Sequence, residues 1–287
     1  MKRIKEHDEQ IGYFTFVQNN DSTDYLKLAY ACGLSLKATQ TINKFAIAVD
    51  KPTKEQLIEK HYKVFDYVID IPWGDDSEDD SWKLGNEWKA WSITPFKETV
   101  KIDCDIVFTR NIDHWWTFMR EQEVMIATNV RKPDGSISHS RYYRKLFDIN
   151  NLPNTYSGFM YFRYGEKSLK MFKTLKWVYK NWGKVSEQLK NCRDEKPTTD
   201  VALAIALVLQ EAEYTHTNNV LDYPTFVHMK NSILGWPESH KIEDIINIEY
   251  SDDVGLILGV EPQIYPVHGA ECKEYLADKT IEYYERN

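Results

Sequence analysis

An α/β fold is predicted, with strands in a mainly parallel sheet and helices crossing between them. Two observations carry this expectation. Short apolar runs rich in β-branched and aromatic residues alternate with segments of helical spacing, which favours parallel pairing through crossovers. The chain also has 287 residues, 42% of them apolar, with nine Trp, eighteen Tyr and twelve Phe. That is enough to fill one large core. A third observation concerns the sheet's use: Asp103 and Asp105 close one of the strand-like runs.

In chain order, Ile11–Val17 reads as a buried strand, followed by the polar turn Gln18-Asn19-Asn20-Asp21. From Tyr25 to Leu36, apolar residues recur at helical spacing. Phe45–Val49 is a second strand ending at Asp50. Pro52 marks a helix start, with a short helix over Lys54–Lys60, and Val64–Ile71 is a third strand. Residues 75–80, Asp-Asp-Ser-Glu-Asp-Asp, read as a solvated acidic loop. A helix from Gly85 or Asn86 to Ser92 ends before Pro95. Pro133-Asp134-Gly135 is a turn, and Tyr156–Arg163 another strand. A long helix follows over Glu166–Trp182, and Thr198 or Thr199 caps the helix holding Val201–Leu209. The C-terminal stretch reads as short strands and turns. One compact domain is expected, in a first part over about 10–110 and a second over about 120–275 that includes a C-terminal extension.

The run Val100–Phe108, Val-Lys-Ile-Asp-Cys-Asp-Ile-Val-Phe, is the most informative stretch. Read as a strand, it places Asp103 and Asp105 on one face and Ile102, Cys104 and Ile106 on the other. Adjacent carboxylates repel each other. A hard divalent cation such as Mn²⁺ or Mg²⁺ relieves the repulsion and accepts phosphate oxygens as further ligands. Such a site grips a diphosphate and helps it leave.

The remaining composition excludes several classes. Cys32, Cys104, Cys192 and Cys272 have no paired spacing, so neither a disulfide framework nor a zinc site is expected. The charged first ten residues lack the apolar region of a signal peptide, and the longest apolar run, Val201–Leu209, is too short to span a bilayer. A soluble, cytoplasmic protein is expected. A formal net charge of −8 argues against general nucleic-acid binding while leaving local basic patches open.

With these residues placed, the order of motifs resembles the GT-A nucleotide-sugar glycosyltransferases, most nearly the family-eight-like group, over about residues 10–275. The resemblance implies a Rossmann-like mixed sheet flanked by helices, a nucleoside diphosphate sugar as donor and Mn²⁺ or Mg²⁺ as cofactor. The strand Gly12–Val17 and its turn stand where such enzymes hold the nucleotide, beyond the carboxyl ends of the strands. Asn19, Asn20 and Asp21 would then bond the base or ribose and Tyr25 would stack on the base, although an ordinary Asn/Asp turn explains the same residues. Asp50, ending Ala46-Ile47-Ala48-Val49-Asp50, falls where the family recognises base or ribose. In Asn86–Trp91, Lys89 matches a basic residue that approaches the donor. Tyr156–Phe162 resembles an Asn-x-Gly strand lining the sugar pocket. Here Tyr156 or Ser157 replaces the Asn, and Gly158 admits close approach.

Thr198-Thr199-Asp200 stands where the family carries Asp-Gln. The Gln is replaced by Val201, and Asp200 becomes the candidate carboxylate beside the reacting carbon or the acceptor hydroxyl. A histidine ligand is implied near the C-terminus. His228, with Trp236 eight residues on, and His268, in Val267-His268-Gly269, both fit. The metal would bridge Asp105, the diphosphate and Asp103, and Lys89, with Lys230 or Lys273, would add fixed positive charge there. Inversion with Asp200 as base and retention with the departing phosphate as base both remain open.

The chain also looks like glycosyltransferases of tailed phages, some of which decorate hydroxymethylated cytosine in DNA. Lys170, Lys173, Lys176, Lys180 and Lys184 fall within one helical arc of roughly 120°, and Arg131, Lys132, Arg141, Arg144 and Lys145 precede them. Clustered cations of this kind suit a phosphate backbone. With Tyr142 or Tyr143 stacking on a flipped base, DNA is the leading acceptor expected, and a saccharide or glycolipid the alternative. Three rival classes fit less well. A nucleotidyltransferase would need a Gly-rich basic loop after the first strand, and a dinucleotide-binding oxidoreductase Gly-x-Gly-x-x-Gly; Gln18–Asp24 offers neither. A non-catalytic nucleotide-sugar-binding module would not need the aspartate pair.

Overall fold

The first strand, β1 (Glu9–Val17), is the axis of the molecule: Tyr13 and Val17 belong to one hydrophobic cluster, Phe14 and Phe16 to another. The period-2 alternation of a strand thus feeds two cores, one on each face of the sheet. The computed structural model describes residues 9–78, 83–138, 144–211, 224–237 and 239–286.

After β1 the chain enters α1 (Tyr25–Thr39), capped by Asp24, whose carboxylate accepts from Lys27 N–H at 3.0 Å. Strand β2 (Phe45–Val49) is buried throughout. Asp50 then caps α2 (Lys51–Lys54), and α3 (Glu59–Val64) leads to β3 (Tyr67–Asp70). The single helix expected over Lys54–Lys60 is therefore two short ones with a break between them. The third strand starts three residues later than expected because Val64 closes α3.

A 3₁₀ turn (Glu87–Lys89) runs into α4 (Ala90–Ile93), then β4 (Phe96–Ile102), the two-residue β5 (Ile106–Val107), α5 (Trp115–Met119) and β6 (Val124–Ala127). Next come α6 (Lys145–Ile149), β7 (Tyr156–Arg163), α7 (Glu166–Lys180), α8 (Trp182–Ser186) and α9 (Thr199–Leu209), whose cap is Thr198. The main sheet runs β3-β2-β1-β4-β7-β6, with β3, β2, β1 and β4 parallel and β7 antiparallel to both β4 and β6. It is the mixed sheet that the family resemblance implies. Met171, Leu175, Val178 and Trp182 are buried, as the helical spacing requires.

The C-terminal part holds β8 (Val227–His228), α10 (Asn231–Leu234), β9 (Ile248–Ser251), β10 (Gly255–Leu258), β11 (Glu261–Pro262) and β12 (Val267–His268). These short strands match the expectation, but the end of the chain does not: residues Lys273–Arg286 form helix α11. It docks on α1, where Lys27 meets Asp278 at 2.6 Å and the Tyr30 hydroxyl donates to Glu285 at 3.1 Å. No described helix is long and apolar enough to cross a membrane.

Candidate active site

The aspartate pair does not lie within a strand. β4 ends at Ile102, and Asp103, Cys104 and Asp105 form a tight turn closed by Ile106 N–H donating to the Asp103 carbonyl at 3.2 Å. Strand alternation is thus not what brings the two carboxylates together; the turn does. It sits at the carboxyl end of a parallel strand, where open α/β sheets bind ligands.

Strand β12 completes the site. It pairs antiparallel with β5 and parallel with β8, so that His268 lies opposite Ile106 on one side and His228 on the other. The His268 Nε2 lies 3.1 Å from Asp103 Oδ2 and 3.3 Å from Asp105 Oδ1. Among the described residues, these three offer ligand atoms within 4.8 Å of one another. Of the two candidate histidines, His268 is the one that reaches both carboxylates. His228 packs its ring edge-on against His268 at 4.7 Å and forms part of the wall behind it. The donor set, two carboxylates and an imidazole, is one that can hold a divalent cation.

The charges in the site fit a cation. Burial pushes the His268 imidazolium toward deprotonation, but Asp105 and Asp103 outweigh it and raise its pKa. A metal ion held by these three groups would release any proton that the ring carries on that nitrogen. Burial also works against the Asp103 carboxylate, yet the Lys101 ammonium, then His268, hold it well below the usual carboxylate range. Asp105 is fixed from behind: Ala270 N–H donates to its Oδ2 at 3.0 Å and Gly269 N–H to its carbonyl at 2.9 Å.

Lys101 is a site residue that sequence reasoning missed. Its side chain is 2% exposed, and its Nζ lies 2.7 Å from Glu87 Oε2 and 3.0 Å from Asp103 Oδ1. A lysine within an apolar strand, two residues before Asp103 and on the same face, was the signal available in the sequence. Its burial requires paired carboxylates. Burial raises the pKa of Glu87, and Lys101 opposes that rise.

The turn opens on a cleft of about 820 Å³, lined among others by Gln18, Tyr25, Gly158, Asp200, Lys230 and Lys273. Gly158 backs the aspartates so closely that a Cβ there would lie 3.2 Å from both Asp103 Oδ2 and the Phe226 ring, and 3.4 Å from His268. The Lys273 ammonium sits over the Tyr25 ring, 4.9 Å from its centroid. Asp200, in the first turn of α9, accepts from Ser157 N–H at 2.6 Å and from the Arg144 guanidinium at 2.8 Å. The Arg144 guanidinium carbon in turn lies 3.8 Å and 4.0 Å from the ring centroids of Phe147 and Tyr156.

Other expected contacts lie elsewhere. The Asn20 side chain accepts from Ser22 and Thr23 N–H within the turn, and Asn19 ties the turn to Asp24, Gln56 and Leu26 N–H; neither they nor the exposed Asp21 line the cleft. Asp50 is spent as the cap of α2 and as an acceptor for Gln18. Lys89 is fully buried, donating to the Gly74 carbonyl and Asn86 Oδ1 with Asp76 at 3.6 Å; it is a structural cation and not a cleft residue.

The acidic stretch is not simply solvated. Asp75 accepts from Gln18 at 2.7 Å, and Asp76 from Lys180 at 2.6 Å and the Trp88 indole at 3.0 Å. The remaining positions 79 and 80 lie outside the described residues.

The basic footprint is also smaller than expected. Lys176 stands over the Trp88 ring at 4.2 Å, Lys180 is bound to Asp76, and Arg144 is buried against Asp200, so Arg144 is not a surface phosphate contact. Arg131 is likewise buried, and its guanidinium donates to the Gly135 carbonyl at 3.1 Å. Lys145, Lys170, Lys173 and Lys184 are exposed, and Arg141, Tyr142 and Tyr143 lie outside the described residues.

No family model matches the sequence, and no curated protein matches it. Solved structures do. Mouse xyloside xylosyltransferase 1 superposes with a TM-score of 0.55 at 11% identity, over 91% of this chain and 97% of that one. The galactosyltransferase LgtC, solved with donor and acceptor sugar analogues, superposes with a TM-score of 0.52 at 10% identity, over 96% and 95%. At such identities the likeness is one of fold: the chain has the mixed α/β architecture of the GT-A glycosyltransferases.

Proposed function

We propose that the chain is a metal-dependent glycosyltransferase that moves a sugar from a nucleoside diphosphate, with UDP the first nucleotide to test, onto a hydroxyl group. One observation carries the reading: Asp103, Asp105 and His268 converge at the head of a large cleft beyond the carboxyl ends of a parallel sheet. Asp103, Asp105 and His268 would hold a divalent ion there, and that ion would supply positive charge opposite a departing diphosphate. The protein's own groups do the rest. Lys230 and Lys273 line the same cleft and add fixed positive charge near the phosphates. Tyr25 offers a ring face for the base. Gly158 lets Asp103, Phe226 and His268 close over the backbone. Asp200, held by Ser157 and Arg144, is the carboxylate assigned to the acceptor hydroxyl or to the positive charge on the reacting carbon.

On the acceptor, the engaged states of Lys176, Lys180, Arg131 and Arg144 weaken the case for a polyanion such as DNA and favour the saccharide alternative. Incubation with Mn²⁺ and a panel of UDP- and GDP-sugars tests the function. Slow hydrolysis of one donor is expected, abolished by a chelator and by Asp105→Ala. A panel that stays intact, or hydrolysis that survives Asp105→Ala, refutes the reading. Failure to bind duplex DNA with and without hydroxymethylcytosine at low salt removes the DNA acceptor.

A further inference from the structure

Beside the main cleft lies a second cavity of about 570 Å³ that the proposed chemistry does not use. Tyr179 and Pro197 give it apolar surface beside the edges of the buried Trp88 and Trp182, and Asp76, Lys180, Asp194, Glu195 and Lys196 give it polar groups. Leu84, Asp194 and Thr198 line both this cavity and the main cleft, so the two share a wall. Thr198 also caps α9, the helix that carries Asp200 in its first turn. The shared wall therefore stands beside the helix that carries the carboxylate assigned to the acceptor.

The lining selects a class of ligand. Its three carboxylates and two ammonium groups nearly cancel, which disfavours a polyanion and a polycation alike. A purely apolar chain would cover the charged side chains and offer them no hydrogen bond in place of water. A pyranose matches both features, since it presents an apolar C–H face to an aromatic ring and a rim of hydroxyls that donate and accept. The volume is that of a small-molecule site.

We infer that this cavity is a distal subsite for a saccharide acceptor of two or more units, seating the sugar beyond the one that receives the transfer. The inference rests on the glycosyltransferase reading for the identity of the neighbouring cleft. The test uses Glu195, an exposed residue of the cavity wall that is not among the residues lining the main cleft. Glu195→Trp places an indole across the cavity, and Glu195→Ala is its control. Each full-length protein is applied to a printed array of mono- to hexasaccharides with duplex DNA as an added probe. Donor hydrolysis without acceptor is measured in parallel.

Retention of saccharides of two or more units is expected for the natural sequence and Glu195→Ala. Glu195→Trp should weaken retention about tenfold, the scale on which one well-packed side chain contributes to binding, with donor hydrolysis unchanged. Retention of single sugars alone, retention of DNA instead, retention that Glu195→Trp leaves intact, or an array left blank by a protein that hydrolyses donor overturns the subsite. Saccharide retention without donor hydrolysis instead overturns the glycosyltransferase reading and leaves the cavity a sugar site.

Discussion

His268 and Asp103 are separated by 165 positions in the chain, yet the imidazole Nε2 and the carboxylate Oδ2 are 3.1 Å apart. The contact joins the turn after β4 to β12, the last short strand before α11. His268→Ala should therefore weaken Mn²⁺ binding by at least about a hundredfold, above the ten- to hundredfold loss that supporting residues give. Isothermal titration of the nucleotide-free protein measures it. His228→Ala should leave the two carboxylates and His268 as ligands and reduce affinity far less. Equal losses in the two variants would argue that both rings bind the ion.

Lys101 is the positive charge that holds Glu87 and Asp103 together inside the protein. Lys101→Met leaves two carboxylates without this cation, one of them 9% exposed. Removing one partner of a buried pair is expected to destabilise by about 3–5 kcal/mol. Adding Glu87→Gln should recover part of that loss, because the uncompensated charge is then gone. Urea unfolding of the single and double variants checks the order. A double variant no more stable than Lys101→Met would show that the Glu87 charge is not the source of the loss.

Asp66 ties the start of β2 to α1. Its carboxylate accepts from Phe45 N–H at 2.8 Å and from Lys37 and Lys44 at 2.5 Å and 3.1 Å. Partial burial pushes its pKa up, but these donors outweigh burial and lower it. A lowered folded pKa means that the stabilisation is present above the unfolded value of roughly 4 and is lost as pH falls through the folded one. Asp66→Asn should be less stable than the natural sequence by about 1–3 kcal/mol at pH 7. The gap should narrow below pH ~4. Denaturant melts across pH measure it, and a gap that stays constant into acid would contradict the assignment.

The strands most legible in the sequence are those buried on both faces. Phe45–Val49 and Tyr156–Arg163 have in the structure the bounds expected of them, because an unbroken apolar run has few other ways to satisfy its backbone. The C-terminal helix was not legible. Its buried residues are only Leu276, Ala277 and Thr280, a stripe too narrow to stand out before α1 is known to lie beneath it. Asp75 and Asp76 looked solvated because their partners, Gln18 and Lys180, are 57 and 104 residues away. The aspartate pair was visible as a motif, whereas the reason it works was not. That reason is a turn, a lysine behind it and a histidine delivered by a distant strand pairing.

That delivery has a consequence for synthesis. Domains emerge and fold from the N-terminus, so the sheet through β7 can form while β12 is still unmade. Until then the nascent chain holds its two aspartates with Lys101, and without the imidazole that later joins them. An emerging polypeptide would thus bring the imidazole to the two aspartates late, after most of its sheet is in place.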